Sequence, residues 1–116
     1  EYCKAFEIAC MFVSQPTSYV HDAVDELRSQ YWMTPPNTTY TLDLASMVSI
    51  AGRYNRFLKE FAARNDVAIC DLASRLEPTL EYFYDDCHFN ERGASEVAVH
   101  IAECIATTAI GSDAGP

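Results

Sequence analysis

Residues 42–72 read LDLASMVSIAGRYNRFLKEFAARNDVAICDL, and this stretch decides the fold class. Its apolar side chains first recur at steps of three and four residues, which predicts an amphipathic helix over residues 42–64. The apolar positions are Met47, Ala51, Tyr54, Leu58, Phe61 and Ala62. The run VAICDL at residues 67–72 is typical of a short strand buried on both faces. The polar cluster at residues 64–66 separates the two and predicts the end of the helix.

A second apolar run lies upstream of this helix. Residues 6–13 read FEIACMFV and stop at a Gln15-Pro16 break, as a buried strand would. A strand, a helical crossover and another buried strand are the pattern of a parallel sheet. The sequence therefore predicts an α/β fold with two parallel strands plus helices.

The other segments add helices and loops around this unit. Residues 20–31 predict a short helix with Ser18 as a candidate cap, and residues 94–108 predict a final helix that packs on the sheet. Residues 33–40, with two prolines and three threonines, predict an irregular loop. Residues 76–84 are ambiguous and are interpreted as a helical turn around Glu77-Pro78 followed by a loop.

The predicted sheet is incomplete, because two strands leave one apolar edge open. We therefore expect residues 1–110 to be the C-terminal portion of a single domain whose N-terminal half is missing, and residues 111–116 to be a frayed tail. Because the chain begins at Glu1 and not at methionine, we expect further residues upstream of it.

The composition restricts the partners. A formal net charge of −9 argues against a nucleic-acid or anionic-membrane partner, because such partners need a basic surface. No apolar run approaches the length of about 18 residues that a membrane-spanning helix needs.

The cysteines bear on the compartment. The five cysteines form no C-x-x-C pair and are interpreted as free thiols, which favours a reducing compartment such as the cytoplasm. Localisation itself stays unknown, since a targeting signal would lie upstream of Glu1.

The residues that carry chemistry lie in the segment YDDCHFNERG at 84–93. Asp85 lies three residues before His88 in a polar loop, the usual place for catalytic groups. A carboxylate that holds Nδ1–H of a histidine fixes its tautomer, so that Nε2 can take a proton from a hydroxyl nucleophile. The spacing predicts Asp85 as this orienting carboxylate and Asp86 as a solvated charge. The alternative for His88 is a surface histidine that caps the final helix or bonds to its neighbours.

Residues 85–105, DDCHFNERGASEVAVHIAECI, resemble the last conserved block of the SGNH or GDSL hydrolases. Asp85 and His88 match its Asp-x-x-His pattern, and Asn90 and Gly93 match the residues that usually follow. FEIACMFVSQPTSY is similar to a late strand of the family that ends in a Gln-Pro turn. RYNRFLKEFAARNDVAICDLA is similar to its Tyr-Asn helix and the next strand. The resemblance covers residues 6–105.

This resemblance implies a three-layer α/β/α, flavodoxin-like SGNH hydrolase fold, of which the chain is a part. It implies hydrolysis of a small-molecule ester through an acyl-serine, with Asp85 and His88 as catalytic residues and with no metal or organic cofactor. The family's serine, oxyanion glycine and oxyanion asparagine lie upstream of the Asp-x-x-His block, and their motifs are absent from this sequence. We therefore expect the fragment to be inactive alone.

Gln15 and Thr17 are the candidate substrate-binding residues. They follow the first strand on its C-terminal side, where open α/β sheets bind ligands. The alternative is a turn with polar caps. Cys87 and His88 beside two aspartates do not form a predicted metal site, because a structural zinc needs four ligands at regular spacing.

The remaining polar residues are assigned structural roles. We expect Tyr54 and Asn55 to be packing and hydrogen-bonding residues, and Asp71 to cap the turn after the second strand. Cys87 is disfavoured as a nucleophile because adjacent side chains rarely point at each other.

A rival interpretation belongs to another functional class. The missing serine is also consistent with a non-catalytic α/β remnant or an interaction module whose open sheet edge is covered by a partner chain.

Overall fold

The computed structural model describes residues 2–108, so the predicted tail at 111–116 lies outside the described part. The elements in chain order are α1 (Tyr2–Ala5), β1 (Met11–Val13), α2 (Asp25–Arg28), α3 (Leu44–Asn65), β2 (Ala68–Cys70), a single 3-10 turn (Leu72–Ser74) and α4 (Glu91–Thr107).

The two strands pair in parallel, with Phe12 opposite Ile69, and α3 is the long element that connects them. The predicted α/β class with two parallel strands and helices is confirmed at this level. The three-layer flavodoxin-like arrangement stays a prediction.

The predicted helix at 42–64 is confirmed, as α3, within two residues at each end. Its first turn begins after Asp43, whose carboxylate accepts the Ser46 N–H at 2.7 Å. Its last turn ends at Asp66, which adopts the left-handed conformation with φ 54° and donates its N–H to the Ala62 carbonyl. These caps satisfy backbone groups that the helix itself leaves unpaired.

The first strand is shorter than predicted. The expectation covered residues 6–13, but β1 holds only Met11–Val13, and the side chains of Phe6 and Ile8 are 68% and 59% exposed. In the observed register, residues 6–10 would lie opposite residues 63–67, the last turn of α3 and its cap. The first half of the apolar run therefore has no strand to pair with.

The predicted helix at 20–31 is wrong in length, since α2 spans only Asp25–Arg28. Leu27 and Tyr31 are nevertheless buried, in a cluster with Tyr19 against α3. Ser18 does not cap this helix, because the N-cap position is Val24 and no side chain bonds there. The contacts of Leu27 and Tyr31, more than the four-residue helix itself, therefore hold this segment in place.

Four of the five cysteines form disulfides, so their interpretation as free thiols is wrong for all but Cys87. Cys3 pairs with Cys10, and Cys70 at the end of β2 pairs with Cys104 of α4. The latter Cα atoms lie 5.7 Å apart, the usual disulfide spacing. Because disulfides persist in oxidising compartments, the argument for a reducing compartment loses its basis.

The final helix begins three residues earlier than predicted, at Glu91. The Asn90 side chain caps it by accepting the Gly93 N–H at 2.9 Å. Residues 76–84 form turns and loop without a helix, which resolves the ambiguity left by the sequence. None of the helices within residues 2–108 has the length and hydropathy to span a membrane.

Candidate active site

The Asp-x-x-His pair lies on a loop whose two ends are held together by phenylalanines. Phe83 and Phe89 form an antiparallel bridge with ring centroids 5.3 Å apart, and Phe83 is buried. Within it, the Tyr84 N–H donates to the His88 carbonyl at 2.8 Å. The backbone from 83 to 89 is thus held at both ends, which limits where the side chains between them can point.

Asp85 uses both carboxylate oxygens within this loop. Oδ1 accepts the backbone N–H groups of Cys87 at 2.9 Å and of His88 at 2.8 Å, while Oδ2 lies 2.8 Å from Nδ1 of His88. Partial burial acts to raise the pKa of Asp85, but the hydrogen bonds from Cys87 and His88 outweigh it and lower the pKa below its ordinary value. The carboxylate is therefore ionised at neutral pH.

The His88 ring is anchored on one side and open on the other. Its side chain is 65% exposed, against 21% for Asp85. The hydrogen bonds of the ring within residues 2–108 are the Nδ1 contacts with Asp85 and Cys87, so no described group occupies Nε2. Of the alternatives for His88, the role as a cap of the final helix is wrong, because Asn90 is the cap, whereas the bonds of the exposed ring to its neighbours Asp85 and Cys87 are present.

Asp86 is buried, with no exposed surface, so its assignment as a solvated charge is wrong. Its Oδ2 accepts the Tyr19 hydroxyl at 3.1 Å and the Met33 N–H at 2.9 Å, and Oδ1 has no partner among the described residues. Burial and the charge of Asp86 together raise the pKa of Tyr19. The side chains of Asp86 and Asp85 thus lie in different surroundings, that of Asp86 in the interior and that of Asp85 in the loop beside His88.

Ser18 joins the loop to the connection that follows β1. Its N–H donates to the Asp86 carbonyl at 2.9 Å and its hydroxyl to the Asp85 carbonyl at 2.7 Å, while its own carbonyl accepts the Tyr31 hydroxyl. Ser18 is fully buried. Sequence reasoning missed this role, because no local pattern distinguishes Ser18 from the serines in exposed turns.

Gln15 and Thr17 line a cleft of about 250 Å³ that Cys87 also lines. The structure therefore brings both predicted substrate-binding residues to the side of the Asp85 and His88 loop. Asn55 is a hydrogen-bonding residue, as predicted: its side-chain amide accepts the Gln15 N–H and donates to the Gln15 carbonyl, both at 2.8 Å. Tyr54, expected to pack, lines the same cleft with 57% of its surface exposed.

Asp71 does not cap the following turn with its side chain. Its carboxylate accepts the Ser14 hydroxyl at 2.9 Å and the Lys59 ammonium at 2.7 Å, and Ser14 accepts the Ala73 N–H in turn. Asp71 therefore ties the ends of β1 and β2 to α3.

Asp85, Cys87 and His88 bring three potential metal-ligating atoms within 4.8 Å of one another. The Asp85 oxygens and Nδ1 of His88 already bond to one another and to the backbone. Burial and the charges of Asp85 and Asp86 raise the pKa of Cys87, which opposes the thiolate form that binds metals and attacks carbonyls. The arrangement suits an oriented histidine better than a metal ligand set or a cysteine nucleophile.

A larger cleft of about 380 Å³ lies at the opposite ends of the strands, beside Cys10 and Val67. Ligands of α/β sheets bind outside the carboxyl ends of the strands, and that is the end where Gln15 and Thr17 lie. The loop with Asp85 and His88 is therefore the better candidate site.

No protein-family model, curated protein or solved structure matches this chain.

Proposed function

We propose that this chain is the C-terminal part of a serine ester hydrolase of the SGNH type. In this proposal His88 is the general base and acid, Asp85 orients it, and residues upstream of Glu1 supply the serine and the oxyanion donors. The fragment is inactive by itself, because a base without a nucleophile and an oxyanion site does not catalyse acyl transfer.

The observation that carries the proposal is the way Asp85 and His88 are held. Three donors fix the Asp85 carboxylate, one of which is Nδ1 of His88 at 2.8 Å, and no described group bonds to Nε2. This geometry selects the tautomer in which Nε2 can accept a proton.

The proposed reaction has two halves. His88 Nε2 takes the proton of the serine hydroxyl as its oxygen attacks the ester carbonyl, and then gives that proton to the departing alcohol. Water attacks the acyl-serine with His88 again as base, which releases the acid and restores the serine. In both halves the ionised Asp85 stabilises the imidazolium.

The test is hydrolysis of p-nitrophenyl acetate by a longer polypeptide that includes the residues upstream of Glu1. We expect His88→Ala to lower the rate at least about a hundredfold, the usual contribution of general acid–base catalysis. His21→Ala, which removes an exposed histidine, is the matched control. Equal rates for His88→Ala and the parent would refute the proposal, as would turnover by the purified 116-residue chain alone.

The second candidate is a non-catalytic module that a partner chain completes. Its partner would cover the aromatic rings of Phe57 and Phe61, which are 57% and 39% exposed, with ring centroids 6.1 Å apart on α3. In the hydrolase the upstream part of the domain would cover the same face. An in-frame Gly-Asp-Ser motif in the genomic sequence upstream of Glu1 would favour the hydrolase, and a start codon close to Glu1 the module.

A further inference from the structure

We propose that the cleft beside the Asp85 and His88 loop binds the short hydrocarbon acyl chain of an ester. This assignment names a substrate class for the proposed hydrolase. Its role in catalysis rests on the proposed function, whereas the binding of a hydrocarbon chain in the cleft does not. The cleft, of about 250 Å³, has an apolar part formed by Met33, Met47, Ile50, Ala51, Tyr54 and Cys87.

The location of the cleft ties it to the candidate catalytic pair. Cys87, which lines it, directly precedes His88, and its backbone N–H is one of the donors that hold Asp85. Gln15 and Thr17 reach the cleft from the carboxyl end of β1. A group bound here therefore lies beside the loop that carries the base.

The cleft differs from the rest of the chain in having no charged side chain. None of its lining side chains is charged, although the chain carries 25 charged residues, 17 of them acidic. Met33, Ile50 and Tyr54 keep 40%, 48% and 57% of their surfaces exposed there. Covering these side chains with hydrocarbon removes apolar surface from water at about 25 cal/mol per Å².

Several polar groups at the edge of the cleft are already in use, which leaves the hydroxyls of Thr17 and Tyr54 and the Gln15 side-chain oxygen as the few that a sugar ring could bond to. The Asn55 amide is bonded at both its atoms to the Gln15 backbone, the Tyr19 hydroxyl to Asp86, and the Gln15 side-chain nitrogen to the Pro16 carbonyl. A sugar ring requires several directed hydrogen bonds to replace its water. A hydrocarbon chain requires none.

The size of the cleft sets the length of the occupant. Clefts for drug-sized ligands usually measure about 300–1,000 Å³. At about 250 Å³ this one is smaller, so it accommodates a short acyl chain better than a long lipid chain.

The experiment is an NMR titration of the ¹⁵N-labelled 116-residue chain with 1-hexanol, whose hydrocarbon chain stands in for the acyl chain. N-acetylglucosamine is titrated in parallel to represent a sugar. We expect hexanol to shift the amide signals of residues 47–54 and of Cys87, and the sugar to shift neither.

Matched variants locate the site. Tyr54→Ser and Ile50→Ser each remove apolar surface from the cleft, and we expect each to weaken hexanol binding about threefold to tenfold. Phe57→Ser is the control, since Phe57 lies on the same helix with the same 57% exposure as Tyr54 but outside the cleft, and it should leave the affinity unchanged.

The acyl site is refuted by sugar binding without hexanol binding, by hexanol shifts away from the cleft, or by equal effects of Tyr54→Ser and Phe57→Ser. These results are independent of turnover. Hexanol binding combined with unaltered hydrolysis by His88→Ala would refute the hydrolase and keep the apolar site. The reverse combination would keep the hydrolase and refute the acyl preference.

Discussion

Asp86 is a buried acid between two partly exposed neighbours, Asp85 and Cys87. It connects three parts of the chain, because its carboxylate accepts hydrogen bonds from Tyr19 and Met33 while its own backbone belongs to the Asp85 and His88 loop. A buried polar group that loses its partner costs more free energy than the hydrogen bond contributed. The stability of the loop therefore depends on an acid that takes no part in the proposed chemistry.

We expect Asp86→Ala to lower the free energy of unfolding by about 2–4 kcal/mol, since it leaves the buried Tyr19 hydroxyl and the Met33 N–H without an acceptor. Asp86→Asn should lower it by less, about 1–2 kcal/mol, because one amide oxygen can still accept both bonds but the amide nitrogen has no acceptor in the place of the unpartnered Oδ1. Urea unfolding followed by circular dichroism measures both changes.

Asp22→Ala, at an exposed position, is the control for loss of an acid and should stay within about 0.5 kcal/mol of the parent. Equal losses for Asp86→Ala and Asp86→Asn would mean that the charge of Asp86, and not its acceptor oxygen, holds the loop.

At the residue scale, the spacing in the sequence predicts that Asp85 contacts His88, but it does not predict that Asp86 is buried. Asp85 and His88 are close because they lie three positions apart in a tight loop, and this geometry is local. The burial of Asp86 depends on Tyr19 and Met33, which lie 67 and 53 positions away. An acidic residue in a polar segment gives no local sign of such partners.

Gly93 has a packing role at the start of α4. A Cβ at this position would overlap the backbone carbonyl of Tyr82, which accepts the N–H of the helix cap Asn90 at 3.0 Å. The first turn of α4 is thus in direct contact with the segment that leads into the Asp85 and His88 loop. Gly52, in the middle of α3, has open space where its Cβ would lie.

We expect Gly93→Ala to lower the free energy of unfolding by about 1–3 kcal/mol, because the added methyl group must displace backbone. Gly52→Ala, the matched substitution, should raise it by up to about 1 kcal/mol through higher helix propensity. Thermal unfolding of the two variants measures both signs. A neutral Gly93→Ala variant would show that α4 can move away from Tyr82 at no cost.

The elements differ in how well the sequence predicts them. The sequence predicts α3 closely because its apolar period and the polar cluster at residues 64–66 are local signals, whereas the cap at Asp43 was not among them and the predicted start lies two residues too early. The length of β1 is not predicted, because it is limited by where β2 begins, about 55 residues later in the chain. Apolar composition alone cannot separate a paired residue such as Phe12 from an unpaired one such as Ile8.

For the whole molecule, the bond between Cys70 and Cys104 joins the sheet to the final helix inside a core cluster with Leu72, Val97 and Ile101. The two cysteines are 34 positions apart, whereas Cys3 and Cys10 are 7 apart. A cross-link restricts the unfolded chain more when it closes a longer loop. The sequence could not show this pairing, since only the packing of α4 on β2 brings the two side chains together.

We expect the double variant Cys70→Ala and Cys104→Ala to lower the free energy of unfolding by about 3–4 kcal/mol, and the corresponding Cys3 and Cys10 variant by about 2 kcal/mol. Urea unfolding of both variants tests this order, and reduction of the parent chain with dithiothreitol should reproduce the sum. A larger loss for Cys3 and Cys10 would contradict the dependence on loop length.

The bond between Cys70 and Cys104 also closes a covalent ring, and the entire loop with Asp85 and His88 lies within it. A protease that cuts one peptide bond inside this ring opens it without releasing a fragment. The nicked molecule keeps all of its residues, gains only the water that hydrolysis adds, and holds both ends of the cut until a reductant separates the pieces. The segment that carries the candidate base is therefore protected against loss from the molecule, although its exposed peptide bonds are not protected against cleavage.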